Sequence, residues 1–346
     1  MKKINKYIEV IRSSDPRLSA MNEGTQQAIL AVLNKRYAKV GISIIDTMDE
    51  LVALTAKSPD LVVLGTRFIL LDAAKGYERS PKLWISGHFI EHGIAFTGSA
   101  TGALMLEFNK HEAKQKVIDS GLRSSAYFMA KIGRPIPRHE LTFPLFVKPT
   151  DLAGSEGVDE KSVVYSQIEL EARVAAVHNI YGSNTLVEQY LPGREFSVAV
   201  FKQHGSVAMR AMPIEILAPA DAKGNRFLSE AVKHADSEKV ISLTDIALRD
   251  TIGALALGVF GVIGARDYGR IDIRLDASGQ PNFIEANLMP GLSDHGYLYR
   301  CLRLNSGMTY DDMIMSIVEL GLRRNEKPLL SPVATTIPLL AGTRTW

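Results

Sequence analysis

Residues 270–293 carry the pattern that most restricts how this chain can fold. Two runs in which apolar and polar residues alternate flank the turn-forming sequence Asp-Ala-Ser-Gly at 276–279, which predicts a β-hairpin. Side chains alternate across a strand, so the apolar residues of the first run share one face, and Arg270 and Asp272 lie on the other. The hairpin therefore has one apolar face and one charged face.

The charged face of this hairpin is a candidate metal site. A four-residue loop places Asp272 opposite Phe283 and Arg270 opposite Glu285. Glu285 and Asn287 then share the face of Asp272, where diagonal neighbours lie roughly 7–8 Å apart. Carboxylates held this close need a cation, and carboxylate and amide oxygens suit Mg²⁺. The alternative is a half-exposed hairpin with surface salt bridges, but the Met-Pro-Gly turn that follows favours a binding site.

Composition indicates an enzyme of more than one domain. At 346 residues the chain is too long for one ordinary core, so we expect two or three domains. A net charge of +2 gives no field that would attract nucleic acid or an anionic membrane. A single cysteine, Cys301, excludes an intramolecular disulfide and a cysteine-rich metal site. No apolar run approaches ~18 residues and the basic start lacks a signal-peptide core, so we expect a cytoplasmic protein.

The first hundred residues alternate between strand and helix patterns. Apolar runs at 7–11, 41–46 and 61–65 predict strands, and the periodic segments at 22–36 and 49–56 predict helices. A β-α-β-α-β order predicts a parallel sheet covered by helices, and hence an α/β fold.

Glycine-rich segments are candidate phosphate sites. The run 258–264 ends a predicted helix instead of opening one after a strand, so we interpret it as helix termination. No Gly-x-x-x-x-Gly-Lys-Ser/Thr motif occurs, which excludes a P-loop. The loop at 154–157 follows a proline-bounded strand that contains Lys148, and its backbone N–H groups could surround a phosphate. A plain surface hairpin loop is an equal alternative for this loop taken alone.

Several motifs follow one another along the chain in a fixed order. They are Lys110; Lys148-Pro149 with Gly154-Ser155 and Gly157; Val187-Glu188 with Gly193-Arg194-Glu195; Arg270 and Asp272; and Glu285, Asn287, Pro290 and Gly291. This order is that of ATP-grasp enzymes, and the chain resembles the D-alanine–D-alanine ligase family over about residues 85–325. The segment 87–99 upstream of the first lysine also matches.

The resemblance implies a domain organisation. An N-terminal parallel-sheet domain at 1–98 would precede a central ATP-grasp subdomain at 99–187 and a C-terminal ATP-grasp subdomain at 188–326, with an irregular tail at 327–346. ATP would lie between two antiparallel sheets, one from each subdomain. Members of this family commonly form homodimers, so a homodimer is expected.

The resemblance also implies roles for individual residues. Catalytic roles fall to Arg270, Gly291, Lys233 and Ser155. Two Mg²⁺ ions, for which Mn²⁺ can substitute, would be bound by Asp272, Glu285 and Asn287. The ATP-binding positions are Lys110, Lys148 and Lys233 for the phosphates, Gly154 and Ser155 for the closing loop, Glu188 and Leu191 for the adenine, and Glu195 for the ribose.

The implied reaction joins a small-molecule carboxylate to an amine. Transfer of the γ-phosphoryl group of ATP would give an acyl phosphate, which the amine then attacks to form an amide. Arg270 and the backbone N–H of Gly291 would face the oxyanion that develops. Carboxylate-kinase activity without an amine acceptor is an alternative, as is a degenerate ATP-binding protein without ligase activity.

The substrate positions depart from the D-alanine ligases. The segment 12–19 lacks the family's glutamate, the segment 65–72 carries Arg67 where the family is acidic and glycine-rich, and Gly154 replaces the first serine of the phosphate loop. We therefore expect substrates other than two D-alanines, with a genuine D-alanine–D-alanine ligase as the alternative. The candidate substrate residues are Arg67, His234, which replaces a tyrosine, Ser293, His295, and Gly296, which replaces a serine. Arg17 is a further candidate for an anionic acid.

Overall fold

The N-terminal part of the chain forms a parallel three-stranded sheet. The computed structural model describes residues 2–75, 77, 80–150, 152, 155–202 and 208–326. The elements are β1 (Ile4–Arg12), α1 (Glu23–Asn34), β2 (Tyr37–Ile44), α2 (Met48–Ala56) and β3 (Leu61–Leu64). The strand order is β2-β1-β3, and both pairs are parallel. The predicted β-α-β-α-β unit is confirmed.

Capping side chains explain where the first two helices begin. The Asn22 side chain accepts the backbone N–H of Thr25 at the start of α1. Thr47 and Glu50 form a capping box at the start of α2, each side chain bonding the other's backbone N–H. These bonds satisfy N–H groups that have no partner within the helix.

A short antiparallel pair and three helices lead to the centre of the chain. They are β4 (Phe68–Leu70), β5 (Lys82–Trp84), α3 (Ile85–Glu91), α4 (Thr101–Phe108) and α5 (Lys110–Asp119). A four-stranded antiparallel sheet and one helix follow. Their elements are β6 (Tyr127–Ala130), β7 (Leu145–Pro149), β8 (Val163–Val164), α6 (Gln167–Tyr181) and β9 (Thr185–Gln189). The strand order is β6-β9-β7-β8, and α6 packs on this sheet.

The next part of the described chain forms a five-stranded antiparallel sheet. Its strands are β10 (Glu195–Lys202), β11 (Met209–Leu217), β12 (Lys239–Ser242), β13 (Tyr268–Leu275) and β14 (Pro281–Asn287). The strand order is β12-β11-β10-β13-β14. The associated helices are α7 (Glu230–Ala235), α8 (Ile246–Val262), α9 (Tyr297–Ser306) and α10 (Tyr310–Glu326). The glycine run 258–264 spans the end of α8, as the sequence predicts.

The predicted β13–β14 hairpin is confirmed, but its predicted register is wrong. Asp272 lies opposite Glu285 and Arg270 opposite Asn287, whereas Ile273 pairs with Phe283. The Asp276 N–H donates to the Gln280 carbonyl, and Leu275 pairs with Pro281, one residue beyond the partner that a four-residue loop would give it. A β-bulge then leaves Ile284 as an extra residue, which shifts the register once more. The bulge brings Asp272 and Glu285 directly opposite each other.

The ends of the predicted domains stay predictions, and the boundary proposed at 187/188 falls inside β9. One core cluster contains buried residues of both the N-terminal sheet and the five-stranded sheet, among them Val62 and Ile271.

The tail predicted at 327–346 lies outside the described residues. No helix in the described ranges combines the length and apolar character needed to cross a membrane.

Candidate active site

A cleft between the two antiparallel sheets brings most of the predicted site residues together. It encloses about 820 Å³, including its open mouth. Its wall includes predicted residues from several separate segments: Lys110, Lys148, Ser155, Glu188, Leu191, Glu195, Lys233, Asp272 and Glu285. Predicted nucleotide-binding and metal-binding positions therefore share one cavity.

A buried triad lies on the four-stranded side of the cleft. Glu188 Oε2 is 2.7 Å from Lys148 Nζ, and Glu188 Oε1 is 2.6 Å from Lys114 Nζ and accepts the Ser125 hydroxyl at 2.8 Å. Burial opposes the charge of Glu188, but the two lysines outweigh it and lower its pKa to about 2. Glu188 thus fixes two ammonium groups; its predicted contact with adenine stays a prediction.

Lys114 is a site residue that the sequence reasoning missed. Its side chain is fully buried, and Nζ also donates to the hydroxyls of Ser124 and Ser125 and to the Phe283 carbonyl. Lysine is almost never fully buried without a partner. Its spacing was the available signal, because positions i and i+4 of a helix share a face and Lys114 follows Lys110 by one turn of α5.

Asp272 is the centre of the hydrogen-bond network on β13. Arg270 donates to both carboxylate oxygens, Nε to Oδ1 and Nη2 to Oδ2, each at 3.0 Å. The Ser197 hydroxyl donates to Oδ1 at 2.7 Å, and Asn287 Nδ2 donates to Oδ2 at 3.0 Å. The predicted convergence of Arg270, Asp272 and Asn287 is therefore present, and the buried ion pair fixes the plane of the guanidinium.

Glu285 is surrounded by positive charge. Burial alone would raise the pKa of Glu285, but Lys110, Lys148, Lys233 and Arg270 lower it well below its usual value. The carboxylate is therefore ionised at neutral pH and available as a ligand. Several lysines close to one carboxylate in a cleft also attract a polyanion.

The donor set on the hairpin fits a hard cation that keeps other ligands. Within the described residues no three His, Cys, Asp or Glu side chains come together as a metal cluster. Asp272 and Glu285 supply two carboxylates and Asn287 an amide oxygen. Mg²⁺ is typically held by one or two carboxylates together with substrate phosphates and water, so a set this small matches a metal that arrives with a nucleotide.

Part of the cleft wall is apolar and aromatic. Phe146, Tyr190, Leu191 and Phe227 line it, and the rings of Phe146 and Phe227 are 5.5 Å apart between centroids. Stacked and edge-on rings form a surface suited to a flat heterocycle. The predicted adenine position, Leu191, lies in this part of the wall.

Arg274 is a second cleft residue that the sequence reasoning missed. Its Nη1 donates to Glu195 Oε2 at 3.1 Å, and its guanidinium lies 5.3 Å from the ring centroid of Tyr190. Burial raises the pKa of Glu195, with Asp272 and Glu285 adding to the effect and Arg274 opposing it. The β13 alternation places residues 270, 272 and 274 on one face, which was the available signal.

The loop after β7 and the helix α7 cover the cleft. Ser155 has a left-handed backbone with φ +70°, and Gly157 follows with φ +73°. A side chain at Gly157 would meet Pro149 at 2.7 Å, so glycine is required there. Lys233 of α7 is partly buried at the cleft, and desolvation lowers its pKa. Gly154 lies outside the described residues.

A family model described as the D-ala D-ala ligase C-terminus matches residues 129–319. The chain belongs to the D-alanine–D-alanine ligase family. A D-alanine–D-alanine ligase of Alcanivorax borkumensis is 30% identical over 309 residues, which are 88% of this chain and 94% of that protein. The protein y4sG of Sinorhizobium fredii is 30% identical over 240 residues, 67% of this chain and 68% of that protein.

Solved structures of the D-alanine–D-alanine ligase family share the fold. The D-alanine–D-alanine ligase of Bacillus anthracis complexed with ATP aligns with a TM-score of 0.72 at 20% identity, covering 93% of this chain and 99% of that one. The α/β fold with an ATP-grasp arrangement of two antiparallel sheets, expected from the resemblance, is confirmed.

This member of the D-alanine–D-alanine ligase family has a second, smaller cavity beside the cleft. The two cavities share Lys110, Leu152 and Glu285. Asn287 and Arg67 line the smaller cavity, together with Arg17, Phe68, Tyr77, Glu107 and Phe108. Arg67 is ion-paired with Glu107, so its charge is already neutralised. Its predicted role in binding an anionic substrate stays untested.

The remaining predicted substrate residues lie away from both cavities of this family member. The His234 side chain is 80% exposed, 3.8 Å from Glu230, and lines a separate surface groove. His295 is exposed and bonded to Asp294. Ser293, Gly296 and the predicted oxyanion residue Gly291 also belong to the loop between β14 and α9, and neither cavity wall includes them. The roles predicted for these residues stay predictions.

Proposed function

We propose that the chain is an ATP-dependent carboxylate–amine ligase that releases ADP and forms an amide through an acyl phosphate. One observation carries the proposal: Lys110, Lys148 and Lys233 converge in one cleft with Asp272 and Glu285. The relatives support it, since the Alcanivorax borkumensis protein is a D-alanine–D-alanine ligase and the Bacillus anthracis ligase is complexed with ATP.

The two kinds of side chain that line the cleft suit the two parts of ATP. The aromatic group, with Leu191, would hold the adenine, and Glu195 beside Arg274 would accept the ribose hydroxyls. Lys110, Lys148 and Lys233 would neutralise the phosphates, with the Ser155 loop covering them. Asp272, Glu285 and Asn287 would hold Mg²⁺, which supplies further charge neutralisation when bound.

The residues on the hairpin suit the second half of the reaction. The substrate carboxylate takes the γ-phosphoryl group and ADP leaves; the amine then attacks the acyl carbon, loses a proton and expels inorganic phosphate. Charge develops on the acyl oxygen as the amine attacks. Arg270, held in one plane by Asp272, and the N–H of Gly291 would stabilise that charge, and one preorganised donor contributes roughly 3–4 kcal/mol in acyl transfer.

We propose further that the two substrates are not both D-alanine. The sequence lacks the family's glutamate in the segment 12–19 and its serine at position 296. In the structure Asp15, from the first of these segments, forms a 2.6 Å ion pair with Arg17. The carboxylate in this segment thus already has a cationic partner, which supports a different acyl donor.

ADP release measured with a panel of acids, each with and without a panel of amines, tests the proposal. ADP that depends on both components supports the ligase, and D-alanine belongs in both panels. ADP formed with an acid alone indicates a carboxylate kinase, and turnover with D-alanine as both substrates indicates a genuine D-alanine–D-alanine ligase. No ADP with any pair, despite ATP binding, indicates a degenerate nucleotide-binding protein.

The variant Arg270→Ala separates catalysis from nucleotide binding. We expect ATP affinity to stay near the wild-type value and turnover to fall by about 10²–10³ fold, as when an oxyanion donor is removed. Arg303→Ala, an exposed arginine of α9, is the matched control. Unchanged turnover in Arg270→Ala would contradict the assigned role.

A further inference from the structure

A buried ion pair next to the nucleotide cleft holds the turn that follows β14. Arg67 follows β3, and Glu107 lies in the last turn of α4. Their side chains are 15% and 8% exposed, and the guanidinium Nη2 contacts Glu107 Oε1. The pair joins two segments that are 40 residues apart in sequence.

Both partners also bind the main chain of a single residue, Met289. The backbone N–H of Met289 donates to Glu107 Oε2 at 3.2 Å, and Arg67 Nη2 donates to the Met289 carbonyl at 3.4 Å. The Met289 side chain is buried, as is that of Leu288. One ion pair therefore satisfies both polar main-chain groups of a buried residue, groups that would otherwise be costly to desolvate.

Met289 occupies a sensitive place in the chain. It lies two residues after Asn287, which bonds Asp272, and two residues before Gly291. Asn287 and Arg67 line the same small cavity, together with Lys110 and Glu285. Glu107 precedes Lys110 by three residues. A displacement of the pair would thus be transmitted to the metal-binding amide and to the phosphate lysine.

We propose that Arg67 and Glu107 are positioning residues that fix the 287–291 turn and so hold the Asn287 amide beside Asp272. The inference rests on the proposed function of the cleft. It gives Arg67 a task other than binding a substrate anion, since its Nη2 already contacts one carboxylate and one main-chain carbonyl.

The energetics of buried ion pairs make this role separable from a purely structural one. Replacing both members of a buried ion pair with apolar residues is often neutral or stabilising, whereas removing one member leaves an uncompensated charge. The double variant Arg67→Met/Glu107→Met should therefore keep the fold while releasing the main chain of Met289.

Mn²⁺ affinity in the presence of AMP-PNP, measured by EPR on the full chain, reports the position of Asn287 without requiring turnover. Groups that orient metal ligands typically contribute 10–100-fold to metal affinity, so we expect the double variant to bind Mn²⁺ about tenfold more weakly. Its affinity for AMP-PNP without metal should change less than its Mn²⁺ affinity. Its urea transition should stay cooperative but with a lower midpoint, because the main-chain groups of Met289 lose their partners. Lys6→Met/Asp60→Met is the matched control, because that pair also binds a main-chain N–H but lies at the start of β1.

Each outcome decides the inference. Unchanged Mn²⁺ affinity in a folded double variant overturns the positioning role while leaving the proposed function intact. Absence of AMP-PNP binding by the wild type overturns the proposed function and the inference with it. Should the double variant unfold, Arg67→Lys replaces it: lysine keeps the charge but not the planar fork, so weaker Mn²⁺ binding supports the role and unchanged binding overturns it.

Discussion

Glu188 is ion-paired with two buried ammonium groups, and Glu188→Gln removes only its charge. Lys114 and Lys148 would then face each other without a counter-ion between them. Burial already lowers the pKa of Lys114, and Lys148 adds to that effect. We expect the variant to be less stable and its Lys114 to lose its proton more readily.

The magnitude follows from the pKa of Glu188. A fall from the ordinary 4.5 to about 2 corresponds to about 3 kcal/mol in favour of the ionised, folded form, at about 1.4 kcal/mol per pH unit. Removing one member of a buried ion pair typically costs about 3–5 kcal/mol. The free energy of unfolding should therefore fall by about 3 kcal/mol at pH 7.

The sign of the pH dependence is fixed by the direction of this pKa change. The folded-state pKa lies below the unfolded one, so the stabilisation is fully present above about pH 5 and is lost as the pH falls toward 2. Urea unfolding followed by tryptophan fluorescence at several pH values gives the difference between wild type and Glu188→Gln. That difference should shrink as the pH falls through this range.

A matched substitution separates the triad from a general effect of losing a carboxylate. Glu171→Gln changes an exposed side chain of α6, and we expect a loss below about 0.5 kcal/mol. Equal stability of Glu188→Gln and wild type at pH 7, or a difference that does not depend on pH, would refute the reasoning.

Three further predictions concern other buried groups. Arg274→Met removes a charged hydrogen-bond partner of Glu195 worth roughly 1.5 kcal/mol, so the Kd for a fluorescent ATP analogue should rise about tenfold; an unchanged Kd contradicts this. Tyr297→Phe takes the hydroxyl donor from the buried Glu238, whose Oε2 already lacks a partner in the described part of the chain, and should cost about 1–3 kcal/mol in urea unfolding. Burial raises the pKa of Cys301 to about 12, so iodoacetamide should modify the thiol at pH 8 only after unfolding, and rapid modification of the native protein would contradict its burial.

Local patterns predicted the elements well, because they depend on neighbours in sequence. The Asn22 and Thr47 caps, the periodicity of α1 and α2, and the alternation of β13 all act within a few residues. The turn at Asp276 is also local, since its Oδ1 accepts the N–H groups of Ser278 and Gln280. These signals were sufficient for the parallel sheet and for the hairpin.

Partners of buried charges were not predictable in the same way. Lys114 and Glu188 are 74 residues apart, and Arg67 and Glu107 are 40 apart. A charged residue in a sequence is an exposed residue by default, and only the packing of two sheets and a helix reveals which charges are desolvated. His234 is the reverse case: the resemblance assigns it a substrate role because it replaces a tyrosine of the family, whereas in the structure its side chain faces solvent, and the role stays a prediction.

The sequence by itself determined that a hairpin with one charged face would carry Arg270, Asp272, Glu285 and Asn287. Alternation assigns a side chain to a face regardless of what lies opposite. Only the tertiary structure decided which of these groups oppose one another, because the loop length and the bulge at Ile284 set the register. Register depends on closing the loop and packing the apolar face, which are properties of the folded chain and not of either strand.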